Sequence, residues 1–241
     1  QNAEGTRFEK DDTLRLGLKV RDALEAKGIN VVMTRDTDVL LALSEICQIA
    51  NDADADLFVS LHRNSSEPEY KGIEIWVNNH EPEADTLLAT NILSALDRVG
   101  ITENRDVNFG FIGEPQSNYQ VNRQTHMPSC LVELGFITND EDNKFLDDNF
   151  DAYAKAIADA IVKTAVELGI TDENGQRLID HPYLSTKPQW NAQTQSYDTE
   201  NGEVKSADDI NPVIINDHKY PADTDTAQQD TEAVNDDDTV G

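Results

Sequence analysis

The chain is poor in cysteine, in positive charge and in long apolar runs, and each shortage removes a class of protein. Two cysteines in 241 residues, Cys47 and Cys130, do not make a disulfide scaffold. Both sit among apolar neighbours, in EICQIAN and PSCLVEL, and are expected as buried free thiols. No apolar run approaches the roughly 20 residues that a helix needs to cross a bilayer, so no membrane insertion is expected. Lys and Arg number 19 against 47 Asp and Glu, for a net charge of −28. Charge of that sign excludes binding to nucleic acid or to an anionic membrane surface by bulk electrostatics. It suits solubility outside a cell, or a cationic partner. No secretory leader is visible in a sequence that opens on Gln1.

The apolar share, 38%, is low for a chain packed throughout. The shift in composition falls near residue 170. Residues 171–241 hold 16 acidic and 4 basic side chains and end DTDTAQQDTEAVNDDDTVG, which reads as an acidic, disordered tail or linker. NPVIIND at 211–217 is the one apolar patch there with the character of a strand.

Residues 1–170 read instead as one domain in which helices and strands alternate. EKDDTLRLGLKVRDALEAKG has leucines at helical spacing, Asp11 and Asp12 at the favourable N-terminal end, and Gly28 as its stop. INVVMT follows as a short strand, LLALSEICQIANDA as a helix, DLFVSLH and GIEIWVN as strands. EPEADTLLATNILSALDRVG is a long helix closed by Gly100. PSCLVELGFI is an apolar strand, TNDEDNKFL a helix with Asn139 as N-cap, and FDAYAKAIADAIVKTAVEL the last helix. This order predicts an α/β fold: a twisted, mostly parallel or mixed sheet with helices on both faces. Sites in such sheets form beyond the carboxyl ends of the strands.

Three ionisable residues stand where an apolar fold has no use for them. LFVSLHRNSS runs a buried strand into His62; Glu133 is embedded in CLVELGFI; Glu9 precedes the first helix. An unpaired buried carboxylate is costly or takes up a proton. Glu133 therefore needs a partner, such as Arg123 or Arg35, or a chemical task. Taken singly, Glu9 is ordinary compensation of a helix dipole and His62 an ordinary sheet-edge histidine. Taken together, Glu9 and His62 are donors suited to a catalytic zinc ion, with Glu133 as general base, and one protein ligand is lacking.

The stretches EKDDTLRLGLKVRDALEAKGINVVMTRDTD, IANDADADLFVSLHRNSS, GIEIW and MPSCLVELGFITNDEDNKFL, in that order, resemble the zinc-dependent N-acetylmuramoyl-L-alanine amidases of the Amidase_3 type. These are peptidoglycan hydrolases of bacterial walls and of phage endolysins. The most specific pieces are S-x-H-x-N at Ser60–Asn64 and V-E-x-G-F-x-x-N at Val132–Asn139. The resemblance implies zinc held by His, Glu and His, with Glu9 and His62 as two of the ligands and Glu133 as the catalytic glutamate. It places the other histidine, and the first strand of the domain, upstream of Gln1, so that residues 1–170 would be an N-terminally truncated catalytic domain. Two departures stand out: Ile46 where an arginine is usual, and Arg63 where a small residue is common.

The activity so implied is zinc-assisted hydrolysis of the amide between N-acetylmuramic acid and L-alanine of the stem peptide. The partner would be peptidoglycan, the location the cell wall or the outside of the cell, or a released endolysin, and a monomer is assumed. Asn64 and Arg123 are candidate substrate-binding residues, with turn chemistry and a pairing to Glu133 as the plainer alternatives. His126 leads into the Glu133 strand; His80 lies in a polar loop; His181 and His218 fall in the tail. Arg35 and Asp36 read as a loop ion pair or cap, and Trp76 and Phe136 as core. Three other readings remain open: a zinc peptidase cutting within wall peptides, a wall-binding relative without catalysis, and an α/β domain in which all three ionisable groups are structural.

Overall fold

The computed structural model describes residues 1–2, 4–172, 174, 176 and 178 and, as backbone, strands at 189–191, 196–198 and 213–216. The order is α1 (Glu9–Glu25), β1 (Val31–Met33), α2 (Leu43–Asp52), β2 (Leu57–Asn64), β3 (Ile73–Val77), α3 (Glu83–Val99), β4 (Asn104–Phe109), α4 (Gln120–Gln124), β5 (Ser129–Phe136), α5 (Asp140–Asp148) and α6 (Phe150–Glu167). Beyond these come β6 (Gln189–Asn191), β7 (Ser196–Asp198) and β8 (Val213–Asn216).

Six strands form one sheet in the order β1-β8-β2-β5-β3-β4. Its first four strands run parallel; β3 is antiparallel to β5, and β4 is parallel to β3. The sheet is therefore mixed. Period-2 alternation decides what each face meets. Leu57, Val59 and Leu61 join Ile73, Ile75, Val77, Cys130, Val132 and Leu134 in the larger core, against apolar stripes of α1, α3 and α6. Phe58, Trp76 and Leu131 face the other way, against Ile46, Cys47 and Ala50 of α2, Val121 of α4, and Met127. Helices thus cover both faces. Complete burial of side chains such as Leu16, Phe58 and Leu131 contributes roughly 1.5–3 kcal/mol each. Both cysteines are buried, and the Cys47 thiol faces the Gln120 carbonyl at 3.8 Å.

The helix ends follow the local chemistry. The Asn139 side chain accepts a hydrogen bond from the Asp142 N–H at 3.0 Å, capping α5, and Gly100 closes α3. Within residues 1–170 two elements were not foreseen. β4, NRDVNF, lies at the sheet's edge with no residue fully buried, so it lacks the apolar run that marks an inner strand. α4 is a single five-residue turn, too short for a periodic signal.

Three short strands lie in the stretch 171–241. β6 and β7 pair with each other, and Val213–Asn216, the apolar patch of that region, is a strand of the main sheet. It lies between β1 and β2, with Val213 opposite Val31 on one side and opposite Leu57 on the other. The position between β1 and β2 is thus held by the chain's own later segment.

Gly72 controls the entry to β3. Its φ is +104°, and a Cβ there would lie 2.5 Å from the Glu103 carbonyl oxygen and 2.7 Å from the Glu103 Cβ. That carbonyl accepts the Ile73 N–H that starts the β3–β4 pairing. Gly72→Ala is therefore expected to destabilise the domain by about 2–4 kcal/mol, since the strain falls on backbone that has no room to yield. A urea unfolding curve with its midpoint within 0.5 kcal/mol of wild type, on that ~0.5 kcal/mol scale of neutral surface changes, would refute this.

Candidate active site

β2 and β5 run parallel with His62 opposite Glu133, and antiparallel β3 sets Glu74 opposite Glu133. Three ionisable residues on adjacent strands are thereby lined up across the sheet, on the face that carries Phe58, Leu131 and Trp76. α1 packs on the opposite face, but its first residue, Glu9, reaches the end of β2. Glu9 and His62 are both buried.

The His62 Nδ1 lies 3.0 Å from Glu9 Oε1, and His62 Nε2 lies 3.0 Å from the Ser60 hydroxyl. The Arg63 N–H also donates to Glu9 Oε1, at 3.0 Å. The imidazole is thus fixed at both nitrogens and the carboxylate is anchored from the strand. Two donor atoms of the kinds that bind zinc converge. Zinc ligands at ~2.0–2.2 Å in a tetrahedron stand roughly 3.3–3.5 Å apart, so a metal would fit between this pair after a small opening. Ser60 would then hold the imidazole from behind. Among the described residues no group of three or more His, Cys, Asp or Glu is arranged to hold a metal ion, so the described donors number two where a catalytic zinc uses three.

Glu133 is half-buried as a residue, yet its Oε2 is wholly withdrawn from solvent and has no hydrogen-bond partner among the described residues. Burial is the main cause that pushes its carboxyl up to about 8. His62 and Arg63 pull it down, and the nearby Glu9 and Glu74 push it further up. No salt bridge to Arg35 or Arg123 accounts for this glutamate. Arg35 instead donates to the carbonyls of Lys10, at 2.8 Å, and Thr37, at 3.1 Å. Arg123 lies in α4.

Glu74 is buried and fully engaged. Its Oε1 accepts from Asn64 Nδ2 at 2.9 Å and from the Trp76 indole at 3.1 Å, and its Oε2 accepts from Arg105 Nε at 3.0 Å. Asn64 is thus turned inward, and its Oδ1 accepts the Ser65 N–H at 2.8 Å, as turn chemistry would have it. Arg105 also lies over the Phe136 ring, 5.3 Å from its centroid. Glu74 escaped the sequence reading, and Arg63 entered it only as a departure from the family pattern. The signal was available for Glu74: like Glu133, it is a carboxylate inside an apolar strand, IEIWV.

Of the other histidines, His80 and His126 are exposed. The His80 ring meets Asn78, and the His126 N–H donates to Asn51 Oδ1. His181 and His218 lie outside the described residues. Trp76 and Phe136 are buried, as core residues are.

Comparison with known proteins gives this geometry a family. Residues 1–163 match the family described as N-acetylmuramoyl-L-alanine amidase. YqiI, an uncharacterized protein of Bacillus subtilis, is 38% identical over 156 residues, which are 64% of this chain and 71% of that protein. The probable cell wall amidase LytH of Staphylococcus aureus is 33% identical over 150 residues, 61% of this chain; the match spans 46% of LytH's own length. Among solved structures, the CwlD amidase of Clostridioides difficile, determined in complex with the GerS lipoprotein, superposes with a TM-score of 0.62 at 27% identity, covering 69% of this chain and 90% of that one. The catalytic domain of CwlV, an N-acetylmuramoyl-L-alanine amidase from Bacillus (Paenibacillus) polymyxa var. colistinus, gives 0.57 at 29% identity, covering 67% and 87%. On its sheet, its helices and these matches, the chain belongs to the N-acetylmuramoyl-L-alanine amidase family, and its enzyme class is amide hydrolase.

Proposed function

We propose that the chain hydrolyses the amide between N-acetylmuramic acid and the L-alanine of the peptidoglycan stem peptide, acting at the cell wall with zinc as its cofactor. The observation that carries this reading is the convergence of His62 and Glu9 beside a carboxylate, Glu133, whose buried Oε2 has no hydrogen-bond partner among the described residues. His62 Nδ1 and Glu9 Oε1 are the atoms to hold the metal. Zinc, when bound, acidifies a water and polarises the scissile carbonyl. Glu133 accepts the proton of the attacking water and returns it to the leaving amine. Its raised proton affinity suits both halves of that duty, and its place opposite His62 brings it to the reacting atoms. Ser60 and Arg63 keep the two donors in register. Location outside the cell accords with the charge of −28 and with the absence, among the described residues, of any helix long and apolar enough to cross a membrane.

The product decides between this reading and its rivals. Purified peptidoglycan incubated with the zinc-supplemented full chain should release intact stem peptides that begin with L-alanine, seen by mass spectrometry. Fragments cut within the stem would replace the amidase reading by a peptidase one; sedimentation with the wall and no released peptide would replace it by a binding one.

The metal assignment has its own test. His62→Ala removes one of the two described donors, so bound zinc is expected to fall by at least about tenfold and hydrolysis with it. Elemental analysis after dialysis reads the first and peptide release the second. Unchanged zinc in the variant would remove His62 from the site.

A further inference from the structure

One charged side chain near the site has no part in the chemistry and is more deeply buried than any that has. The Arg63 side chain is 0% exposed. Its guanidinium reaches three separate elements. Nη1 donates to Asp12 Oδ2 of α1 at 2.7 Å, Nη2 to Asn143 Oδ1 of α5 at 2.7 Å, and Nε to the Gly135 carbonyl of β5 at 3.3 Å. Each attachment lies close in the chain to a group of the site. Asp12 is one helical turn beyond Glu9, on the same side of α1. Gly135 is two residues past Glu133, and Arg63 itself follows His62.

We propose that Arg63 is a positioning residue: its three-way clasp on α1, β5 and α5 sets the spacing of Glu9, His62 and Glu133. This rests on the reading of Glu9 and His62 as metal donors. A charge buried so deeply is expensive unless paired, and burial indeed lowers the Arg63 pKa while Asp12 supports its charge. The same Asp12 Oδ2 also accepts from Arg7 Nε at 2.7 Å, and Arg7 Nη1 and Nη2 grip Asp147. The network therefore joins α1 to the start of β2's terminal turn and to the helix that follows β5. Without the clasp, the side-chain hydrogen bonds left between the first turn of α1 and β2, among the described residues, are those of the Glu9 carboxylate, the group that must be free to take a metal. With it, the carboxylate's position no longer depends on what the carboxylate binds. A planar fork with donors in three directions does this; the ammonium of lysine, a point charge, does not.

The test compares wild type with Arg63→Lys and Asp12→Asn, each as the full chain, by zinc affinity in competition with a chromophoric chelator and by the visible spectrum of the cobalt(II)-loaded protein. The expected result is zinc binding about 10–100-fold weaker in each variant, as for outer partners of metal ligands, with a weakened or shifted cobalt band and an unchanged far-UV circular dichroism spectrum. Zinc affinity within twofold of wild type and an unaltered cobalt spectrum in Arg63→Lys would show a core ion pair and nothing more, and would overturn the inference while leaving the metal reading intact. Should Arg63→Lys fail to fold, Asp12→Asn decides by the same readouts. A wild-type chain that binds neither metal would overturn the metal reading, and this inference with it.

Discussion

Glu133→Gln should lower stem-peptide release about 10²–10⁴-fold, the usual contribution of a general acid–base, while zinc binding stays near wild type. The amide keeps the shape of the carboxyl but takes no proton. Retained hydrolysis would remove Glu133 from the mechanism. The same variant should change how stability depends on pH in the metal-free protein. Burial raises the folded-state pKa of Glu133 from 4.5 to about 8, so between these values the folded state holds a proton that the unfolded state has lost. Stability contributed in this way is complete below about 4.5 and is lost as pH rises through 8. Allowing for the partial exposure of the residue, the loss is on the order of 2–4 kcal/mol. Glu133→Gln should flatten that slope, so that it destabilises less, or stabilises, at the alkaline end. Denaturant curves at pH 5 and near 8.5, values chosen to bracket the titration, would show the crossing; parallel wild-type and variant profiles would contradict it.

Asp142→Ala should have the largest effect on the fold. Asp142 is buried at the first turn of α5. Its carboxylate accepts the Phe136 N–H at 2.6 Å, the Gly72 N–H at 3.0 Å and the Thr102 hydroxyl. One side chain therefore ties the end of β5 to the entry of β3 and to the segment before β4. Its surroundings are built to its measure: a Cβ on Gly135, where φ is +84°, would lie 2.9 Å from the Asp142 Cγ. Alanine leaves three donors without an acceptor, each at ~1–3 kcal/mol, and removes a favourable charge from the helix start. Partial entry of water brings the expected loss to about 3–5 kcal/mol, or roughly 10 °C in Tm. Calorimetry would settle it, and a fall below about 1 kcal/mol would mean that the three donors find water readily.

The sequence shows the helices and inner strands because their burial is periodic. α1, α3 and α6 each bury one stripe, and β2 and β5 are buried almost throughout. It shows Glu133 and His62 because a charged or polar residue in such a strand has no local reason to be there. β4 stays hidden because an edge strand satisfies half its backbone with solvent and needs no apolar run. The reversed direction of β3 is set by which edge of β5 is free, a property of the assembled sheet and of no local segment. Arg63 was visible only as a departure from a family habit; its purpose depends on Asp12, Gly135 and Asn143, at sequence distances of 51, 72 and 80 residues. The geometry of the Glu9–His62 pair is of the same kind, a contact across 53 residues.

The place of β8 has a consequence for how the chain folds. Val213 pairs with Val31 and with Leu57, so two strands are separated by one that follows both by more than 150 residues. Among the described residues only 213–216 stand between β1 and β2, and loops of more than 150 residues close to bring them there. A pairing of that separation is slow to form, and a strand edge that waits for it can recruit a foreign strand. Closure of the sheet at β8 should then lag behind packing of the helices on α6.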